Sequence, residues 1–219
     1  MSDRPAAIFD NDGLLLDTEE AWTRAEITLF AGRGRRFTET HKRALLGTAR
    51  ADAEATLERM LDRPGEGPAL MSELHDLVME EVLAGVQPRP GALALIARLL
   101  DAGRPLGLAS NAERAFVERT LRTAGLYPDG PFAVVVAGDE VTAAKPAPDI
   151  YLEACARLGV AVEEAVALED SPTGVAAAAA AGLFVVGVPY LAGMALPGSH
   201  LLATRLDDPQ VGRALGLEP

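Results

Sequence analysis

Between Pro105 and Val188 the chain alternates short apolar runs with segments of helical period, and this alternation limits the possible folds more than any other feature. Pro105-Leu-Gly-Leu-Ala109, Phe132 to Ala137, Ala165 to Leu168 and Leu183 to Val188 read as strands. Glu113 to Ala124, with Phe116, Val117, Thr120 and Leu121 on one face, reads as a helix, as do Pro148 to Leu158 and Ser171 to Ala181. Strands joined through helices lie parallel, and the helices cover both faces of the sheet. Ala6 to Phe9 adds a strand at the start, so the expected class is α/β, a doubly wound, mostly parallel, Rossmann-like sheet.

The interval from Thr18 to about Gly85 has only helical periodicity: Trp22, Ala25 and Leu29; Leu45 and Leu46; Leu57 and Leu61; then Leu70, Leu74, Leu77, Val78 and Val82. Gly32 to Arg36 and Arg63 to Pro68 interrupt it as loops. The expectation is an inserted all-helical cap domain over 18–87, with 1–17 and 88–219 forming the core domain. After Pro189 a short strand near Ala203 to Leu206 and a final helical turn are expected.

A chain of 219 residues can bury a sizeable core without disulfides, and Cys155, its single cysteine, falls in an apolar helical pattern as a small buried hydrophobe. The opening residues MSDRPAAIFD carry no long apolar stretch, which predicts a soluble, cytoplasmic protein with no membrane partner. Twenty Lys plus Arg against 32 Asp plus Glu give a formal net charge of -12. That field repels nucleic acid, and the chain has no compact basic patch with interleaved aromatics, so no nucleic-acid partner is expected. An anionic small molecule would need a local cation or metal to overcome the global sign. A monomer or small homo-oligomer is expected.

In an open parallel sheet ligands bind beyond the carboxyl ends of the strands, and four such ends here carry polar groups. The first strand ends in Asp10 and Asp12, the second in Ser110-Asn111, the loop after the third delivers Lys145, and the fourth ends in Glu169-Asp170. Asp10, Glu169 and Asp170 would repel one another unless a cation lay among them, and an all-oxygen site suits Mg2+. Lys145, the Ser110 hydroxyl and the amides of the 110–111 turn could bind a phosphoryl group. Asp10 is then placed to attack phosphorus, and Asp12 to move a proton at the leaving oxygen. Gly13 permits a sharp turn, Leu14 to Leu16 could form an apolar flap, and Ser171 could cap the helix that begins at Pro172.

With these residues in view, the motifs FDNDGLLLDTE, LASN, KPAPD and LEDSPTG resemble, in order and across essentially the whole chain, the haloacid dehalogenase superfamily in its capped phosphatase and phosphomutase branch. The resemblance implies Asp10 as nucleophile, Asp12 as general acid/base, Ser110, Asn111 and Lys145 as phosphate-binding groups, and Mg2+ held by Asp10, the Asp12 main-chain carbonyl and Asp170 with help from Glu169. Dehalogenases of this family lack the second aspartate, so Asp12 argues against halide displacement. Phosphonate-hydrolysing relatives use a cap lysine, and the setting of Lys42 in Thr-His-Lys-Arg43 does not match it. Relatives similar to beta-phosphoglucomutase place a cap histidine where this chain has Trp22, while Arg50 in Leu46-Gly-Thr-Ala-Arg50 matches a substrate-binding arginine. Trp22 is expected to pack against the hinge or to bound the leaving-group pocket. His41 reads as a helix-surface residue or a ligand contact. The function expected is Mg2+-dependent hydrolysis of a small phosphorylated metabolite of sugar-phosphate type. The alternatives are a phosphomutase and, outside enzymes, a receiver-like phosphoryl module.

Overall fold

The structure is a computed structural model that describes residues 6–46, 48 and 50–217. The chain forms two compact units, one of residues up to Asp17 together with Gln87 onward, the other of Thr18–Val86.

The Thr18–Val86 unit is helical: α1 (Thr18–Ala31), α2 (Glu39–Leu45), α3 (Arg50–Leu61) and α4 (Gly67–Ala84). Helix α4 packs on α1 and α3. Ala21, Ala25, Leu29 and Phe30 of α1, Leu57 and Leu61 of α3, and Leu70, Leu74, Val78 and Val82 of α4 are buried. These recur at the helical spacings of an apolar stripe, so their burial accounts for the packing of α1, α3 and α4. Helix α2 has no fully buried residue and is held by ion pairs and ring contacts. Lys42 Nζ lies 2.6 Å from Glu19 Oε2 and 3.2 Å from Glu26 Oε2 of α1. His41 accepts a hydrogen bond at Nδ1 from the Thr38 N–H while its own N–H donates to Thr38 Oγ1, a reciprocal cap that fixes the start of α2. Its ring packs against Phe30 and Phe37. His41 therefore serves the helix start.

In the second unit β1 (Ala6–Phe9), β2 (Leu106–Ser110), β3 (Val134–Ala137), β4 (Ala165–Glu169), β5 (Phe184–Gly187) and β6 (Leu201–Leu202) form one parallel sheet in the order β3-β2-β1-β4-β5-β6. The order reverses between β1 and β4, which is where an open sheet leaves a crevice at its carboxyl edge. Phe9 is paired with both Leu108 and Leu168, so the three central strands end level. On one face α7 (Asp149–Leu158) and α8 (Pro172–Ala180) bring Ile150, Tyr151, Ala154, Cys155, Val175 and Ala178 against Ile8, Ala109, Val136, Ala167 and Val185. The strand period turns Ala7 and Phe9 to the opposite face. Helices α5 (Ala92–Asp101) and α6 (Arg114–Thr123) bury Leu95, Leu99, Phe116 and Leu121. Among the described residues no helix is long and apolar enough to cross a membrane.

One local expectation changes. The last strand is Leu201–Leu202, ahead of the expected Ala203 to Leu206, because β5 offers partners only up to Gly187. Beyond a final bond from the Ala203 N–H to Gly187 O, Arg205 pairs with Asp207 and the chain turns into α9 (Pro209–Ala214), capped by Asp208. Leu14, Leu15 and Leu16, the residues expected as an apolar flap, are essentially inaccessible to solvent. Gly13, at φ +82°, lets its N–H reach Leu16 O while the Leu16 N–H reaches Asn11 O, and the Arg89 N–H donates to Leu15 O.

Burial raises the Glu26 carboxyl from 4.5 to about 7 despite the attraction of Lys42. Unfolding releases that proton, so stability should fall as pH rises between 4.5 and 7, by about 3 kcal/mol at most. Thermal melts of Glu26→Gln and the parent across this window should show a flatter profile for the variant; parallel profiles would refute this assignment.

Candidate active site

The level ends of β1, β2 and β4 bring the sequence-selected groups of the core to one place. Asp10 follows β1 directly, its N–H bonded to Leu168 O at 3.0 Å, and its side chain is almost wholly buried. Lys145 Nζ donates to Asp10 Oδ1 at 2.6 Å, to Glu169 Oε1 at 2.6 Å and to Ala109 O at 2.9 Å. An ammonium has three N–H groups, so all of them are engaged. Tyr151 OH donates to the same Glu169 Oε1 at 2.5 Å, and the Lys145 ammonium lies 5.1 Å from the centre of the Tyr151 ring.

Beside this group, Ser110 Oγ donates to Asp12 Oδ2 at 3.0 Å and accepts the Ala112 N–H at 3.1 Å. The Asn111 side chain is engaged with the Lys145 main chain. Its Oδ1 accepts the Lys145 N–H at 2.8 Å and its Nδ2 donates to Lys145 O at 3.2 Å. Asn111 thus fixes the loop that carries the lysine. Ser171 Oγ accepts the Gly174 N–H and caps α8, as the Ser-Pro start of that helix suggests.

Asp10, Glu169 and Asp170 offer carboxylate oxygens within 4.8 Å of one another, all three residues being buried. Burial pushes the Asp10 carboxyl up to about 8; Lys145 opposes this, while the negative charges of Glu169 and Asp12 add to it. Burial also works against the Lys145 ammonium, but Asp10 and Glu169 more than compensate and hold its pKa above the ordinary lysine value. One ammonium cannot balance three carboxylates at this distance. The oxygen-only donor set and this deficit of positive charge fit a divalent metal ion.

The two cap candidates lie in the helical unit. Trp22 meets His75 edge-to-face with ring centroids 5.6 Å apart. Arg50, the first residue of α3, is 59% exposed and pairs with Glu54 at 3.0 Å. Within its motif, Gly47 and Ala49 lie outside the described residues. Lys42 is held between Glu19 and Glu26.

Three residues in or near the site have roles that residue type alone does not announce. Tyr151 sits among core residues of α7 and looks like one of them until its hydroxyl is followed to Glu169. Gly174 is needed for closeness: a Cβ there would fall 2.0 Å from the Glu169 carboxyl group. Asn11, between the two aspartates, is fully buried and donates to Thr120 Oγ1 at 3.1 Å, while its Oδ1 accepts no hydrogen bond. Gly174 ends the LEDSPTG motif, where the chain passes from the end of β4 through the Ser171 cap into the first turn of α8.

The profile of the haloacid dehalogenase-like hydrolase family matches residues 5–182. Protein CbbY of Rhodobacter capsulatus is 37% identical over 194 residues, covering 84% of this chain and 85% of that protein. The crystal structure of CbbY from Rhodobacter sphaeroides in complex with phosphate is similar at a TM-score of 0.78 and 32% identity, over 93% of this chain and 95% of its own. A mutant of that CbbY in complex with xylulose-(1,5)bisphosphate gives 0.77 and 31% over the same shares.

Gly174→Ala should displace the Glu169 carboxylate, because the overlap is with a group already fixed by Lys145 and Tyr151. Phosphatase activity at limiting Mg2+ should fall by about tenfold or more with the fold retained, as judged by circular dichroism. Unchanged activity and metal dependence would contradict this role for Gly174.

Proposed function

The chain belongs to the haloacid dehalogenase-like hydrolase family, and from that membership we propose that it is a Mg2+-dependent phosphatase acting on a small phosphorylated metabolite of sugar-phosphate type through an aspartyl phosphate on Asp10. The observation that carries the reading is the difference between two carboxylates one residue apart. Asp10 faces Lys145 and the acidic cluster, whereas Asp12 is bonded to the Ser110 hydroxyl.

A carboxylate oxygen of Asp10 attacks phosphorus as the bond to the ester oxygen breaks, and Asp12 gives its proton to the departing oxygen. Asp12 then takes a proton from water as that water attacks the aspartyl phosphate, which returns phosphate and free Asp10. Lys145, Ser110 and the 110–111 turn bind phosphoryl oxygens, with Asn111 holding the lysine loop. Mg2+ would be held by Asp10, Asp170, Glu169 and the Asp12 main-chain carbonyl, where it would supply charge neutralisation for a dianionic phosphoryl group.

The sugar assignment draws on the bisphosphate bound by the CbbY mutant and on Arg50, whose guanidinium suits anionic or hydroxyl-rich leaving groups. We assign Trp22 to the same specificity role. Hydrolysis is favoured over phosphoryl reorientation because Trp22 stands where the mutase-like relatives carry histidine, and indole lacks that ring's acceptor nitrogen. A receiver-like module has no need of Asp12, so that reading is set aside.

Phosphate release and isomer formation should be followed together on a panel of sugar phosphates with Mg2+. Free phosphate should be the main product, and EDTA or Asp10→Asn should lower turnover by more than about a thousandfold. Isomer without phosphate would make the chain a mutase; full activity in Asp10→Asn would exclude the covalent route. On the preferred substrate Arg50→Ala should raise KM several-fold, and an unchanged KM would remove Arg50 from the specificity set.

A further inference from the structure

We propose that Tyr151 is a positioning residue for the metal site: its hydroxyl holds Glu169 in the metal-ready orientation and keeps that carboxylate satisfied when Lys145 turns to the phosphoryl group. The proposal rests on the phosphatase reading above and concerns a residue outside the core motif set.

The argument begins with the saturation of Lys145. Its three N–H groups reach Asp10, Glu169 and Ala109 O, so contact with a phosphoryl oxygen requires one of these bonds to be released. Glu169 Oε1 accepts from two donors at once, Lys145 at 2.6 Å and Tyr151 at 2.5 Å. Glu169 is therefore the partner that can give up the lysine and still keep a hydrogen bond. A fully buried carboxylate left without a donor would be costly, and the phenol removes that cost without adding charge.

Geometry gives the second half. With Oε1 occupied by Lys145 and Tyr151, the other oxygen, Oε2, remains for a cation; its protein neighbour is Ser171 Oγ at 3.4 Å. The carboxyl group has little freedom to rotate away from this arrangement, because the Gly174 backbone closes one side. The ring of Tyr151 is itself locked in the core of α7 against the sheet, so its hydroxyl is a rigid donor. Groups that orient a ligating carboxylate in this way typically change metal affinity by an order of magnitude or more when removed.

The test uses Tyr151→Phe, which keeps the ring and deletes one oxygen. Mg2+ binding to the substrate-free protein is measured by isothermal titration calorimetry, with free Mn2+ counted by electron paramagnetic resonance as a second probe. Melting in EDTA reports the fold separately. The expected result is roughly tenfold weaker binding of both ions. The melting temperature in EDTA should change little, and kcat at saturating Mg2+ should be lowered more than KM. Equal metal affinity in parent and variant would overturn the proposal while leaving the phosphatase reading intact. Failure of the parent to bind either ion would overturn both. If Tyr151→Phe is too unstable to titrate, the same titrations are run with the stabilising osmolyte trimethylamine N-oxide for both proteins, and parent-like metal affinity there would refute the role of the hydroxyl.

Discussion

The site depends on one buried ammonium. Lys145 lies between Asp10 and Glu169, which belong to adjacent strands, and both contacts are short and shielded from water. Removing one partner of such a buried pair leaves an uncompensated charge and typically costs about 3–5 kcal/mol, more than any surface ion pair here could return. Other features of the crevice are fitted to this charge. Asn111 grips the lysine's own main chain at both its N–H and its carbonyl, and the Ala109 carbonyl takes the remaining ammonium proton. The loop that delivers Lys145 is thereby tied back to the end of β2, which fixes a long side chain whose rotamer freedom would otherwise have to be lost on binding.

Topology explains why so few residues suffice. Strands β1 and β4 are neighbours although more than 150 positions separate them in the chain, because the winding direction reverses between them. Their register puts Phe9 beside Leu168, so the next residue of each strand, Asp10 and Glu169, must emerge side by side. Two carboxylates are thus forced together by the sheet itself. The repulsion is offset by the lysine in part, and the remaining negative charge fits a cation.

Much of this was legible because the strands are short, apolar and bounded by polar residues at their carboxyl ends. Asp10, Ser110, Lys145 and Glu169 were visible as chemistry protruding from apolar runs. Tyr151 was not, because an aromatic residue on the buried face of α7 satisfies the helical period whether or not its hydroxyl has a partner. Gly174 stood within LEDSPTG, but its steric role was not legible, because its contribution is an absent side chain, which carries no periodic signal. The leucines after Asp12 read as apolar from the sequence, and the Gly13 turn folds them inward. At the tail, Ala203 to Leu206 has a strand-like composition, but pairing is a property of both strands, and β5 has already ended at Gly187. Arg50 and Trp22 lie in the helical unit, and their chemistry follows from side-chain placement that helical periodicity does not encode.

The acidic balance of the chain bears on how an anion can be bound at all. A net charge of -12 would repel a phosphate ester if its field acted uniformly, yet at physiological ionic strength charges farther than about 8 Å are largely screened at an exposed surface. Within the crevice the screening is weaker and the sign is set by the nearest groups. Lys145 alone leaves that sign negative, because its charge is already divided between Asp10 and Glu169. A divalent ion would bring the three carboxylates and the one ammonium to neutrality, and it would do so beside Asp10. The acidic cluster that disfavours an anion in the bare crevice is thus the same feature that fits a divalent cation, and with that cation bound the electrostatic barrier to a phosphoryl anion would be removed.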